Sequence, residues 1–99
     1  MILHTLNKAP SNNALDHQLY EAIDANDSVL LIEDGAYQLL SADFLVAEGH
    51  WSLVAKNIYA LRPDVEARGI SANIERVDLV DYPQFVALSA KHQNVISWY

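Results

Sequence analysis

The 99-residue chain has a formal net charge of −7, contains no cysteine, and is 52% hydrophobic. Without a thiol the polypeptide itself can form no disulfide, no thiolate metal site and no persulfide. Residues 1–50 carry eight acidic side chains against Lys8 alone, and no basic stripe follows, which argues against a nucleic-acid partner.

The first half of the chain alternates apolar runs with helical patterns. Ile2–Leu6 predicts a strand buried on both faces, and a polar loop over residues 7–13 leads into a helix capped by Asn13. Apolar residues then recur at helical spacing as far as Ile23. Residues 28–33 predict a second strand, and residues 36–40 are typical of a short helix.

The second half continues the alternation after residues 41–51, whose pattern is ambiguous. Asn57–Leu61 predicts a third strand, followed by a short helix that Pro63 opens and Gly69 stops. Residues 75–80 predict a fourth strand. Asp81 and Gln84 then have the spacing of a capping box at the start of another helix, and residues 95–98 predict a last strand.

Strands that alternate with helices are typical of parallel βαβ units with right-handed crossovers. The sequence therefore predicts one α/β domain over residues 1–99, a three-layer sandwich with a mostly parallel, five-stranded, flavodoxin-like sheet. So small a domain has more apolar surface than its interior can absorb, and we expect a partner to cover part of it. No window approaches the roughly 20 apolar residues that span a bilayer. The first residues also lack a basic leader region, so we expect a cytoplasmic protein without membrane contact.

Two strand ends are candidate sites. In doubly wound folds the loop after the first strand often binds phosphate or flavin. Here residues 7–13 contain no glycine, and Pro10 removes a donor, so a structural loop is the preferred interpretation. Glu33 and Asp34 end the second strand, where catalytic acids often lie, but no acid ends the third strand. We therefore expect a polar strand exit in which Gly35 takes a turn conformation.

The histidines and the C-terminal aromatic residues are the other candidates. The histidines lack metal-ligand spacing, so no metal or cofactor is predicted: they are His4, His17, His50 and His92. His4, inside the first strand, is expected to be packed and hydrogen-bonded. Trp98 and Tyr99 form a possible interface, because terminal aromatic residues either pin the last strand to the core or enter a neighbouring chain.

Several segments form a series that covers nearly the whole chain. They are residues 2–10 (ILHTLNKAP), 29–35 (VLLIEDG), 58–69 (IYALRPDVEARG) and 80–88 (VDYPQFVAL), then Lys91, His92 and Trp98. In order and spacing this series resembles the DsrH/TusB family of sulfur-relay proteins. The resemblance implies a fold similar to the predicted one. It also implies assembly with TusC-type and TusD-type α/β subunits into a dimer of heterotrimers.

The resemblance also implies a function. In the tRNA branch of the family, the assembly passes persulfide sulfur toward 2-thiolation of the wobble uridine, with the sulfur-carrying cysteine on the TusD-type subunit. In the sulfur-oxidation branch, the DsrH-type subunit can carry its own cysteine at a position that corresponds to about Leu19 here. Leucine at this position indicates the tRNA branch and a non-catalytic, supporting subunit. The alternative function is a flavodoxin-like protein that binds a flavin or nucleotide at residues 7–13.

Overall fold

The computed structural model describes residues 1–10, 13–71 and 74–98, apart from the side chain of Asn13. Its strands are β1 Ile2–Leu6, β2 Ser28–Leu31, β3 Asn57–Leu61, β4 Val77–Val80 and β5 Asn94–Trp98. Its α-helices are α1 Asn13–Ala22, α2 Arg62–Ala67 and α3 Tyr82–Lys91, and two 3₁₀-helices span Glu33–Leu40 and Trp51–Leu53. The predicted strands and helices are thus found in the predicted order. β2 ends earlier than expected, because the first 3₁₀-helix starts at Glu33.

The five strands form one sheet in the order β4-β3-β2-β1-β5, and every pair is parallel. This confirms the predicted α/β fold. Flavodoxin has the strand order 2-1-3-4-5. Here the chain crosses the sheet in one direction from β1 to β4, then reverses and places β5 on the other side of β1. That reversal brings the C-terminal strand beside the N-terminal one, with Leu3 opposite Val95 and Leu6 opposite Trp98.

One face of the sheet carries most of the core. The crossovers from β1 through β4 all run in the same direction across the sheet, so right-handedness places their helices on one face. The core cluster there joins side chains from α1, both 3₁₀-helices and α2 to the strands, among them Leu19, Leu39, Trp51, Ile58 and Val65.

The opposite face has a single helix. The crossover from β4 to β5 runs in the other direction, and α3 packs Phe85 and Leu88 against Leu3, Leu30 and Val80. None of the α3 residues is buried. A parallel sheet is normally covered on both faces, so this second layer is incomplete, as the small size of the chain predicted.

Local signals fix the helix ends. At the start of α3, the Asp81 carboxylate accepts a hydrogen bond from the Gln84 amide at 2.9 Å, and the Gln84 side chain accepts one from the Asp81 amide at 2.8 Å. The predicted capping box is therefore confirmed. Pro63 lies in the first turn of α2, and Gly69 follows its end with φ +64°, a conformation that glycine adopts without strain. The predicted cap at Asn13 lies outside the described side chains.

The unpatterned segment over residues 41–51 consists of turns held by buried groups. Trp51 is fully buried, and its indole Nε1 donates to Asp16 Oδ1 on α1 at 3.2 Å. Leu45, which has the unusual φ of +61°, donates its amide hydrogen to Ser52 Oγ at 2.7 Å. Tertiary contacts therefore shape this loop, which is why its sequence shows no helical or strand period.

Gly35 corrects the expectation of a turn conformation. Its φ is not positive, and the residue with positive φ at this strand exit is Glu33, at +50°. Gly35 is buried, and a Cβ at its position would lie 1.9 Å from the Leu6 carbonyl oxygen. Glycine is required here because the 3₁₀-helix lies directly on the end of β1.

Gly35→Ala is expected to destabilise the fold by about 3 kcal/mol, since two backbone segments must move apart. Gly49→Ala is the matched control, because its Cβ meets nothing within 4 Å and only its φ of +83° is unfavourable, at about 1 kcal/mol. Urea denaturation of both variants measures the difference. Equal losses would show that close packing at Leu6 does not explain Gly35.

Candidate protein interface

α3 and β5 expose large apolar side chains. Val86 is 68% exposed, Tyr82 57%, Val95 44% and Ile96 39%. Exposed single apolar residues are ordinary, but four on two adjacent elements are more than a small domain needs. We call these four residues the β5 surface.

The register of the sheet and the period of α3 show how the β5 surface is arranged. On its β3–β4 side, α3 borders a groove of about 410 Å³ lined by Gln84, Ala87 and Lys91. Tyr82 and Val86, one turn apart, lie about 150° round the helix from these groove residues, on the side of β1 and β5. Val95 is paired with Leu3, which packs under α3, so it shares this face of the sheet, and Ile96 lies on the other.

The two edges of the sheet differ in charge. Natural edge strands are usually protected from pairing by charged residues or proline. At the β4 edge, Asp78 is exposed and Glu75 and Arg76 precede the strand. β5 has neither charge nor proline in Asn94–Trp98, and it is apolar on both faces, as an interior strand would be. The sequence of β5 therefore suits a strand that another chain covers.

Trp98 anchors β5 to the core. Its indole Nε1 donates to His4 Nδ1 at 3.0 Å, and its side chain packs against the main core cluster. The Ser97 hydroxyl accepts a hydrogen bond from Thr5 Oγ1 at 3.1 Å. Of the two interpretations of Trp98, the structure shows the one in which it pins the last strand. A contact of Trp98 with a neighbouring chain stays a prediction, and Tyr99 lies outside the described residues.

The Trp98 bond fixes the tautomer of His4. An indole N–H can only donate, so His4 Nδ1 accepts and Nε2 carries the hydrogen. His4 Nε2 then donates to Asp27 Oδ2 at 3.0 Å, as part of a chain of bonds from Trp98 through His4 to Asp27. His4 is fully enclosed, which agrees with the packed, hydrogen-bonded histidine expected from the sequence.

Asp27 is the buried end of this chain and only 2% exposed. Burial by itself raises the pKa of Asp27, but hydrogen bonds from the His4 side chain and the amides of Asp24 and Ile2 outweigh it and lower the pKa below its usual value. Oδ1 accepts from Ile2 at 2.9 Å, and Oδ2 accepts from Asp24 at 3.0 Å as well as from His4. Asp27 therefore ties the start of β1 to the turn before β2.

The remaining polar candidates have structural partners. Asp34 accepts two hydrogen bonds from the Arg68 guanidinium, at 2.9 and 3.1 Å, and the Glu33 amide donates to Asp64 Oδ2 at 2.7 Å. These contacts join the end of β2 to α2 and the residue that follows it. They agree with a structural role for Glu33 and Asp34, as expected from the sequence. Hydrogen bonding to Asp34 raises the pKa of Arg68 further above its usual value.

His17 and His50 line one groove beside α1, whereas His4 and His92 lie elsewhere. His17 approaches Glu21 on the outside of α1 at 3.1 Å, and His92 Nδ1 donates to the Leu88 carbonyl at 2.7 Å. In the part of the chain that the structure describes, no group of three or more histidine, aspartate or glutamate side chains is placed to hold a metal ion. Among those same residues, none of the helices has the length and hydrophobicity to cross a membrane.

Two solved structures share the fold of this chain. The solution NMR structure of protein Tm0979 from Thermotoga maritima matches with a TM-score of 0.66 and 24% identity, over 92% of this chain and 93% of that one. The crystal structure of the ychN protein from E. coli matches with a TM-score of 0.67 and 19% identity, over 98% and 97%. At these identities the likeness shows the fold alone.

Sequence relatives extend over the whole chain. Protein TusB of Pectobacterium parmentieri is 36% identical over 98 residues, which cover 98% of this chain and 100% of that protein. Protein TusB of Cronobacter sakazakii is 33% identical over 100 residues, with the same coverage. The family model described as DsrH like protein matches residues 8–95. On both grounds the chain belongs to the DsrH/TusB family.

Proposed function

We propose that this chain is a non-catalytic subunit of a TusBCD-type sulfur-transfer assembly that supports 2-thiolation of the tRNA wobble uridine. The observation that carries the proposal is its likeness to TusB proteins over their full length, in a chain that has no cysteine. Persulfide relay needs a thiolate nucleophile, so the sulfur must travel on a partner. TusC-type and TusD-type α/β subunits are the proposed partners, in the cytoplasm.

The buried environment of Leu19 agrees with a non-catalytic role for this subunit. Related sulfur-oxidation subunits can carry a cysteine at about this position, whereas Leu19 here is fully buried in the main core cluster. It contributes packing between α1 and the sheet rather than a reactive group at the surface. The subunit would then act on sulfur transfer by holding its neighbours in place.

The β5 surface is the proposed contact with one of these partners. An α/β neighbour that places its own strand or helices against β5 would cover Val95 and Ile96 on both faces of the sheet. Interfaces of permanent complexes are as apolar as a domain core, which the composition of this surface matches. A subunit that lost this contact would leave the cysteine-bearing partner without its support.

The alternative, a flavin or nucleotide site at residues 7–13, gains no support from the described residues. At the carboxyl end of β1, Gly35 packs directly against the Leu6 carbonyl group, so backbone occupies this space. None of the grooves beside α3 and beside α1 is lined by the described loop residues 7–10. A chromophore or nucleotide that copurifies with the chain would revive this alternative.

Val95→Lys is expected to remove most recovery of the partner subunits while changing the stability of the isolated chain by no more than about 0.5 kcal/mol. The measurement is affinity purification at native expression levels with mass spectrometry, beside quantification of 2-thiouridine in tRNA. A strain without this subunit should lose the thiolation, the wild-type chain should restore it, and Val95→Lys should not.

Glu66→Lys, an exposed change of charge on α2, is the matched control and should behave as wild type. Incubation with a sulfur-loaded desulfurase should add no reductant-labile sulfur mass to the isolated chain. A monomer without α/β companions, in cells that keep normal thiolation when the subunit is deleted, would contradict the proposal.

A further inference from the structure

A groove between α1 and the loop over residues 41–51 is strongly acidic. Its volume is about 480 Å³, and its lining residues include the acids Asp16, Asp43 and Glu48 and the histidines His17 and His50. We call it the acidic groove. It lies on the helix-rich face of the sheet, whereas Tyr82, Val86 and Val95 of the β5 surface lie on the opposite one.

The carboxylates of the acidic groove have no cationic partner. Among the described residues, neither Asp16 nor Asp43 nor Glu48 forms an ion pair with lysine or arginine. Lys8 is the only basic residue in the first half of the sequence. His17, which also lines the groove, approaches Glu21 instead, at 3.1 Å. Like charges that share a groove without a paired counter-charge repel one another, and a bound cation would reduce that repulsion.

His50 supplies a second, independent observation. It is only 7% exposed, and its Nδ1 accepts a hydrogen bond from the Ser52 amide at 3.2 Å. The Ser52 hydroxyl, which itself accepts from the Leu45 amide, lies 2.7 Å from the same nitrogen and donates to it. Nδ1 is thus an acceptor, and the neutral ring carries its hydrogen on Nε2.

His50 Nε2 has no hydrogen-bond partner among the described residues, although it is buried. His50 lines the groove, and its Nδ1 is bonded to Ser52, which does not, so we infer that Nε2 is the ring nitrogen nearer the groove. Burial lowers the pKa of His50, against the opposing effect of Asp16 and Asp43, and keeps the ring neutral. An unpaired buried N–H costs about 1–3 kcal/mol, which an occupant that brings an acceptor would recover.

Two exposed side chains, each close along the chain to a lining residue, favour a protein occupant over a free ion. Val46, beside the lining residue Ala47, is 75% exposed. Tyr20 is also exposed and lies one turn after Asp16 on the same side of α1. Exposed apolar and aromatic side chains near carboxylates suit a side chain with a long apolar stem and a cationic end.

We propose that the acidic groove is a docking site for a partner-protein segment that presents an arginine or lysine side chain. Asp43 and Glu48 receive the cationic end, His50 Nε2 donates to a carbonyl oxygen of the segment, and Tyr20 and Val46 contact its apolar parts. Because Nε2 is covered in the free groove, the loop over residues 43–50 opens slightly when the segment binds. A metal ion does not suit this site, since the ring nitrogen nearer the groove carries a hydrogen. The inference does not depend on sulfur transfer.

The test is an NMR titration of the ¹⁵N-labelled chain with a blocked pentapeptide that has arginine between two leucines. Saturable shifts are expected in the amides of residues 43–50 and in the His50 Nε2–H signal. The same peptide with glutamate in place of arginine should cause none. Asp43→Asn combined with Glu48→Gln should weaken binding about tenfold. Glu75→Gln with Asp78→Asn, the same change of charge at the β4 edge, should leave it unchanged.

Three outcomes would overturn the proposal. Equal responses to the arginine and glutamate peptides would remove the charge argument. Equal weakening by the two double variants would reduce the effect to net charge, and shifts centred outside residues 16–20 and 43–50 would place the binding elsewhere. Both pairs of substituted residues are exposed, so each variant should keep the dispersed spectrum of the folded chain.

Discussion

Asp27→Ala is expected to lower the free energy of unfolding by about 4 kcal/mol, close to the whole stability of many small domains. The Asp27 carboxylate accepts hydrogen bonds from the amides of Ile2 and Asp24 and from His4 Nε2. Alanine would leave all three donors without a partner in or near the core. Urea denaturation at pH 7 measures the loss.

The lowered pKa of Asp27 also predicts how this loss depends on pH. A carboxyl group whose pKa is lower in the folded state stabilises the fold above its ordinary pKa of 3.8, and the contribution disappears as pH falls through the folded value. Asp27→Asn should therefore cost about 3 kcal/mol at pH 7 and clearly less as pH falls well below 3.8. Asp24→Asn, an exposed change nearby, is the control. A difference between wild type and Asp27→Asn that stays constant with pH would contradict this role of the carboxylate.

Local signals explain why much of the fold could be predicted from the sequence. The capping box at Asp81 and Gln84, and the proline and glycine that bound α2, act within a few residues of themselves, so their spacing identifies them. The buried strands are short apolar runs in a repeating order with helices, which restricts the topology to a few arrangements.

Contacts between distant residues explain what could not be predicted. His4 and Asp27 are separated by 23 residues and His4 and Trp98 by 94, so no local pattern connects them. In the sequence, Asp27 is one of eight acidic residues in the first half of the chain, and no pattern distinguishes it from the others. Gly35 resembled a turn glycine, because a glycine required by close packing has the same sequence context. The exposure of Val95 depends on the reversal of strand order at β1, which only the assembled sheet reveals.

Those distant contacts also connect the core to the β5 surface. β5 lies at the edge of the sheet, and most of its side chains are exposed. Beyond its backbone pairing with β1, its side-chain attachment depends on Trp98 and on the hydroxyl pair of Thr5 and Ser97. The residues that hold β5 in place are therefore not those of the β5 surface, so substitutions can separate anchoring from the proposed partner contact.

Trp98→Ala is expected to lower the free energy of unfolding by about 3 kcal/mol and the melting temperature by about 15 °C. The substitution removes the indole from the core cluster and leaves His4 Nδ1 without its donor. Trp98→Phe keeps most of the packing and loses only the N–H, so it should cost about 1 kcal/mol. Tyr82→Ala, which truncates an exposed aromatic residue of the β5 surface, should change the melting temperature little but weaken partner recovery.

Truncation after Ser97 should lower the melting temperature about as much as Trp98→Ala does. The reason is that both changes remove the contacts of the Trp98 indole with His4 and the core cluster. It should also weaken partner recovery, since a detached β5 no longer presents Val95 and Ile96 in register. If the truncated chain melts at the wild-type temperature, the bond from Trp98 to His4 does not hold β5. If it is destabilised but recovers its partners normally, the β5 surface is not their contact.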